Sequence, residues 1–308
     1  MKKVLTSIVL LLGLLLNVSA QKHILNYRIK DEFSPANDIV GIQFDGKGAM
    51  WVATSYGLYK KEQNEWVLSG AANIYMQSFF IDKHDKVWTA LWGEGVHASV
   101  DGKKWESIKA AAPSGSANVI TADNKGEIWV GDFSAGVLRS GKDKWINYKA
   151  GNVALGDNSI LAILPDNKNR MWFGSYHGLS LFDGKLWRLY NKTNSKLPDN
   201  NVYALLVDSK DDIWIGTCNG LARLSGNTWI VYNVENSGLS SDLILSLGVD
   251  ARGNIWAGTN KGVNVFDGKN WKTFNVKNSA LIDDRIQAIT AYKNAIYLGT
   301  SKGIAVFN

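Results

Sequence analysis

Residues 202–232 alternate short apolar runs with short polar breaks. The apolar runs are 202–207, 213–217, 221–224 and 229–232, and the breaks are 208–212, Asn219-Gly220 and Gly226-Asn227. Runs this short, bounded by Gly, Asn and Asp, predict four antiparallel strands joined by tight turns.

The same pattern recurs along the chain. Copies of Ile213-Trp214-Ile215-Gly216-Thr217 are anchored at Trp51, Trp88, Trp129, Trp172, Trp214 and Trp256, and Tyr297 takes the anchor position in a seventh. Successive anchors lie 37, 41, 43, 42, 42 and 41 residues apart. A period near forty with four strands per unit means stacked supersecondary units, and the sheet arrangement it predicts is a β-propeller.

Fixed positions in the unit have mechanical readings. Six units place an Asp six residues before the anchor (Asp45, Asp82, Asp123, Asp166, Asp208, Asp250), where a carboxylate can bond the backbone of the hairpin joining strands one and two. Two residues after the anchor stands Gly or Ala, as at Ala53, Gly131 and Gly216, which suits a strand closely approached by its neighbour. A second Gly, such as Gly178 or Gly220, fits a turn that needs positive φ. A further aromatic series (Trp66, Trp105, Trp145, Trp187, Trp229, Trp271) opens the outermost strand, so twelve of the 13 tryptophans read as core and Trp92 is left over.

The seventh unit supplies only three runs, and residues 23–29 resemble the missing fourth: Ile24-Leu25-Asn26-Tyr27 matches Trp271-Lys272-Thr273-Phe274. The expected fold is therefore all-β, a seven-bladed propeller of four-stranded antiparallel blades over residues 21–308, with the amino-terminal strand completing the last blade and removing a long open edge.

Composition adds export and removes some partners. Residues 1–20 read as a cleavable secretory signal: Lys2 and Lys3, an apolar run over 4–16, then Val18-Ser19-Ala20 before a cut. The run is shorter than the roughly 20 residues of a spanning helix, so no membrane span is expected in the mature chain. A periodic protein of periplasmic or secreted location follows. The net charge of +6 includes the two signal lysines, and the remaining excess is scattered through turns, which argues against nucleic acid as a partner. Cys218 is the single cysteine, so no internal disulfide forms.

The loops between strands two and three should share a face with the connections between blades. Read round the ring they offer Tyr56, then Trp92 with Glu94, then Asp132 and Phe133, then Tyr176 with His177, while the remaining blades offer Cys218-Asn219, Asn260-Lys261 and Ser301-Lys302. Aromatics thus crowd one arc, where an apolar sugar face could stack and nearby polar groups could bond hydroxyls. Connecting segments add Tyr75, Gln77, Asn118, Asn158, Tyr203, Arg285 and Gln287 near the channel mouth, with Arg285 suited to an acidic sugar. The plain alternative is that the aromatics only cap the rim.

Catalytic signals are poor. His23, His84, His97 and His177 have no metal-ligand spacing with each other or with Cys218, and neither a nucleophile elbow nor a phosphate loop is present. Glu94 and Asp132, on adjacent blades, form the one carboxylate pair that a glycosidase could use. No metal, cofactor or enzymatic activity is expected.

Ile-Trp-x-Gly-Thr, x-x-Gly-Leu, Phe-Asp-Gly (182–184 and 266–268), Trp-x-x-Tyr (187–190 and 229–232) and Asn-Ser-Gly-Leu (236–239) together resemble the two-component regulator propeller repeat, best over 171–271. The resemblance implies the extracytoplasmic sensor half of Bacteroidetes hybrid two-component receptors, many of which recognise oligosaccharides. The chain departs from that receptor pattern: one ring is expected, without an immunoglobulin-like module, membrane span or kinase of its own. Three readings stay open: an exported module binding an oligosaccharide through the aromatic arc, a scaffold binding an envelope protein, and a polysaccharide lyase or hydrolase. The oligomeric state is not legible.

Overall fold

The computed structural model describes residues 24–30, 34–70 and 74–308. The expected signal at 1–20, its cut before Gln21, and His23 lie outside the described residues. Seven four-stranded sheets account for the strands, each ordered as a simple meander in six cases. In blade five, Val202–Val207, Ile213–Thr217, Gly220–Ser225 and Thr228–Tyr232 pair antiparallel in sequence order. The first strands of successive blades touch in a cycle: Ile39–Phe44 packs on Met76–Ile81 on one side and on Ile286–Tyr292 on the other. The ring is therefore complete.

Closure follows the expected route. Ile24–Tyr27 pairs antiparallel with Gly303–Phe307, from Ile24 opposite Phe307 to Tyr27 opposite Ile304. Two ends of the chain share one sheet, so the last blade cannot leave the ring without breaking that ladder.

Packing between blades explains the small residue after the anchor. Both faces of a second strand are covered by neighbouring blades, and every residue of Ile213–Thr217 is buried. A Cβ on Gly216 would meet Ile244 Cγ2 at 2.7 Å, and one on Gly131 would meet Ile160 Cγ2 at 2.6 Å, each on the first strand of the next blade. Close approach of two backbones is what this position supplies. The turn Gly at the start of strand three has φ of +125° at Gly178 and +117° at Gly220, a region L side chains avoid.

The tryptophans divide into two classes. Anchors Trp51, Trp129, Trp172, Trp214 and Trp256 are buried, but Trp88 and the whole outer series are half-buried, which corrects the expectation of twelve core indoles. The outer rings are braced against aromatics of the same and adjacent blades instead: Trp187 lies 4.9 Å from Phe182 of its own blade and 5.1 Å from Tyr148 of the blade before. They seal the perimeter, one face toward the protein and one toward water.

Each Asp before an anchor does more than hold a turn. Asp208 Oδ1 accepts the backbone N–H groups of Lys210 (2.9 Å) and Asp212 (3.1 Å), while Oδ2 accepts Trp214 Nε1–H at 2.9 Å. The same pair of contacts recurs at Asp45, Asp82, Asp123, Asp166 and Asp250, with the indole bond between 2.9 and 3.2 Å. One carboxylate thus ties the first hairpin to the buried indole beside it.

Candidate functional site

A meander of four strands puts its one–two and three–four turns at one end, and its two–three loop and the connections entering and leaving the blade at the other. Hydrogen bonds join the loop to these connections: Trp92 N–H to Tyr75 O (3.1 Å) and Phe133 N–H to Ser116 O (2.9 Å) on the incoming side, and Gly178 N–H to Asn200 O (2.9 Å) on the outgoing side. The expected site residues therefore sit on one face.

Three of the aromatics form a row across blades two to four. The Trp92 and Phe133 rings meet edge-on at 5.2 Å, and Phe133 meets Tyr176 edge-on at 6.3 Å. Trp92 keeps 48% of its surface exposed, and Tyr75, whose carbonyl holds the Trp92 backbone, is 50% exposed. Tyr56 is also 47% exposed but makes no ring contact with the row among the described residues, so it flanks the row rather than extending it.

Polar neighbours stiffen the row. Ser159 Oγ–H donates to Phe133 O at 2.8 Å, and the Ser159 N–H donates to Asp157 Oδ1 at 2.9 Å. Asp157 Oδ2 lies 2.5 Å from His177 Nδ1 on the exposed loop beside Tyr176. Burial pushes the Asp157 carboxyl up, but the Ser159 amide and the His177 imidazole outweigh it and hold its pKa below the ordinary value. Glu94 is exposed at the end of the row next to Trp92.

Asp132 departs from expectation. It is fully buried, with Oδ1 accepting the N–H groups of Ser134 (2.8 Å) and Ala135 (2.7 Å) and Oδ2 accepting Ser114 Oγ–H (2.5 Å). All its capacity goes to shaping the loop that presents Phe133. It offers nothing to a ligand, and the Glu94–Asp132 pair loses one member as an acid–base couple.

Arg285 is exposed in blade seven, away from the row. Its Nε–H donates to Gln287 Oε1 (3.0 Å), Gln287 Nε2 donates to Asp38 Oδ1 (2.6 Å), and Ser55 Oγ–H donates to Asp38 Oδ2 (2.5 Å), immediately before Tyr56. Arg285 thus belongs to a polar relay that reaches Tyr56 and not to the surface at Trp92.

One feature of the mouth was missed from sequence. In all seven blades the pairing of strands one and two shifts register around the second residue of strand one, a β-bulge. A bulge re-aims its extra side chain. The residues so placed are Gln77, Asn118, Tyr203 and Gln287, which the sequence also puts near the mouth, and Val40, Leu161 and Leu245, which it does not single out.

Among the described residues no group of three or more His, Cys, Asp or Glu could hold a metal ion. No described helix is long and apolar enough to cross a membrane. Cys218 is half-buried beside Asn201, whose Nδ2 lies 3.4 Å from Sγ, and burial raises its thiol pKa. A raised pKa disfavours the thiolate that a nucleophile needs.

Three segments, 154–177, 196–219 and 238–261, match the family model described as Two component regulator propeller. Each runs from an interblade connection through strands one and two into the two–three loop, so the match falls on blades four to six. No curated protein matches the sequence. Among solved structures, the extracellular domain of the putative hybrid two component system BT3049 of B. thetaiotaomicron superposes with a TM-score of 0.80 at 23% identity, over 93% of this chain and 41% of that one. The chain thus spans about two fifths of that relative. Virginiamycin B lyase of Staphylococcus aureus gives 0.73 at 12% identity over 92% of this chain and 97% of that one. PorZ, a surface component of the type-IX secretion system of Porphyromonas gingivalis, gives 0.70 at 18% identity over 88% and 46%. At these identities the shared property is the fold.

Proposed function

We propose that this chain is an exported, sensor-type propeller that binds an oligosaccharide on the face bearing Trp92, Phe133 and Tyr176, without performing chemistry on it. The observation that carries the reading is the braced but exposed row: Trp92 stays half open to solvent while its edge rests on Phe133, which rests in turn on Tyr176. Ring packing of the blades does not require it, because the repeated tryptophans already fill that role.

A pyranose has an apolar face that covers an indole and equatorial hydroxyls that reach the groups around it. Glu94 and Tyr75 beside Trp92, and His177 beside Tyr176, supply acceptors and donors at the rim of the row. Export rests on the apolar run and small residues of 1–20.

A glycan array tests the reading. Binding to one glycan class, lost in Trp92→Ala and in Tyr176→Ala, supports it; no binding to any glycan, with retention of a single envelope protein in a pull-down, rejects it in favour of a protein scaffold. The scaffold is the second reading because exposed Trp and Tyr are also the residues that anchor protein interfaces, and because PorZ, with the same fold, is a component of a secretion system.

A further inference from the structure

The face opposite the aromatic row gathers cations that look dispersed in the sequence. Its inner circle consists of the seven one–two turns, and each turn exposes one cation: Lys47, Lys125, Lys168, Lys210, Arg252 and Lys293 in six blades, and Lys83 in blade two. Their placement is not left to chance. The backbone N–H groups of Lys47, Lys125, Lys168, Lys210 and Arg252 donate to Asp45, Asp123, Asp166, Asp208 and Asp250 at 2.9–3.1 Å, so the side chain leaves the turn at the same point in these five blades.

No acid of those turns is exposed: the Asp six residues before each Trp anchor turns its oxygens inward to the turn amides and the indole, while Asp85 accepts Gly46 N–H from the next blade and Asp211 pairs with Lys168. The charged side chains that reach the surface on this circle are the cations. Of the seven exposed cations, only Lys168 makes an ion pair among the described residues, with Asp211. Blades one and two, and three and four, are tied at this level by turn-to-turn bonds, Gly46 N–H to Asp85 Oδ1 (2.7 Å) and Asn124 Nδ2 to Asp166 O (3.0 Å).

The three–four turns on the same face add a second, chemically different feature. Val100 and Leu186, in blades two and four, are the most exposed of the large hydrophobic side chains, at 77% and 62%. Each has two exposed cations beside it, Lys103 and Lys104 for Val100 and Lys185 and Arg188 for Leu186, against one exposed acid, Asp101 and Asp183 respectively. A soluble polyanion would give these aliphatic groups nothing to enter. A lipid layer with anionic headgroups offers a partner to both the circle and the aliphatic tips.

We propose that this face docks on an anionic lipid surface, with the seven-cation circle against headgroup phosphates and Val100 and Leu186 dipping into the headgroup layer. Docking in this orientation turns the aromatic row away from the lipid and leaves it open to solution. The inference does not depend on what the aromatic row binds.

Co-sedimentation with vesicles tests it, using phosphatidylcholine alone and phosphatidylcholine with about 30% phosphatidylglycerol, at about 0.1 M and about 0.5 M salt. Because the apolar run at 4–16 can itself enter lipid, every comparison is between full chains that share it. The wild type is expected to bind anionic vesicles more tightly than neutral ones, and to lose that excess at the higher salt. Lys47→Gln with Lys125→Gln and Lys210→Gln should weaken the excess by about fivefold per cation, about 1 kcal/mol each, and Val100→Ser with Leu186→Ser should weaken it independently.

All these positions are exposed, so an unchanged melting temperature will identify variants that fold. Equal binding to neutral and anionic vesicles, or an excess untouched by the three glutamines, overturns the proposal. So does binding to dextran sulfate in solution with no excess on anionic vesicles. Glycan binding should survive in the glutamine variant, and vesicle binding should survive in Trp92→Ala.

Discussion

Asp208 joins two problems that six of the seven blades share: a tight hairpin whose N–H groups need acceptors, and an anchor indole whose N–H needs one too. A bond to a carboxylate is worth about 1.5–3 kcal/mol, and stranding the buried donor costs about 1–3 kcal/mol. Asp208→Ala should therefore lower stability in a urea titration by roughly 2 kcal/mol or more, with Asp208→Asn milder because it retains one acceptor. A pH dependence follows at Asp45 and Asp250. Burial raises each carboxyl, but bonds from Trp51 and Ala49 to Asp45, and from Asn254 and Trp256 to Asp250, hold both below 3.8. A folded value below the unfolded one means the stabilisation is complete above the unfolded value and disappears as pH falls through the folded values. The melting temperature should be flat above about pH 5 and drop below 3.8, and the double variant Asp45→Asn, Asp250→Asn should begin lower and fall less steeply. Equal acid slopes would contradict it. The Asp positions were legible as turn residues from Gly, Asn and Lys around them, but their indole partners were not, because that contact needs strand two to fold back. Asp132 was misread for a related reason: its own Ser134 and Ala135 amides capture it, and only the folded loop reveals this.

At the scale of strands, the pattern of short apolar runs located every blade, since alternation and turn residues act locally. What it did not locate was the outer edge. Trp66, Trp187 and Trp271 look like the anchors in composition, yet the fourth strand has a neighbour on one side only, so their rings are half-buried. The bulge residues Val40, Leu161 and Leu245 were hidden likewise, because a register shift leaves no mark in an apolar run. The closing strand was legible through the match between 24–27 and 271–274. Removing residues 21–32 deletes Ile24–Tyr27 and opens the edge of Gly303–Phe307. A loss of about 3 kcal/mol or more would lower the melting temperature by roughly 5 °C or more. An unchanged melting curve would mean that the seventh blade holds without its fourth strand.

For the whole molecule, the ring converts sequence position into face. Residues some forty apart become neighbours round a circle, which is why Trp92, Phe133 and Tyr176 meet in a row, and why lysines that seemed scattered become one cationic surface. The first consequence was readable, since the loop positions could be compared blade by blade; the second was passed over because charge was judged along the chain and not by turn type. Arg285 shows the limit of the loop reading, for it faces the same end of the ring but answers to Gln287 and Asp38. The most direct measurement is titration calorimetry of the strongest array glycan against the wild type, Trp92→Ala and, on the far arc, Lys261→Ala. Loss of a stacked ring should weaken binding by roughly tenfold or more in Trp92→Ala, with Lys261→Ala close to the wild type; indistinguishable affinities for all three would contradict a carbohydrate site on the aromatic row.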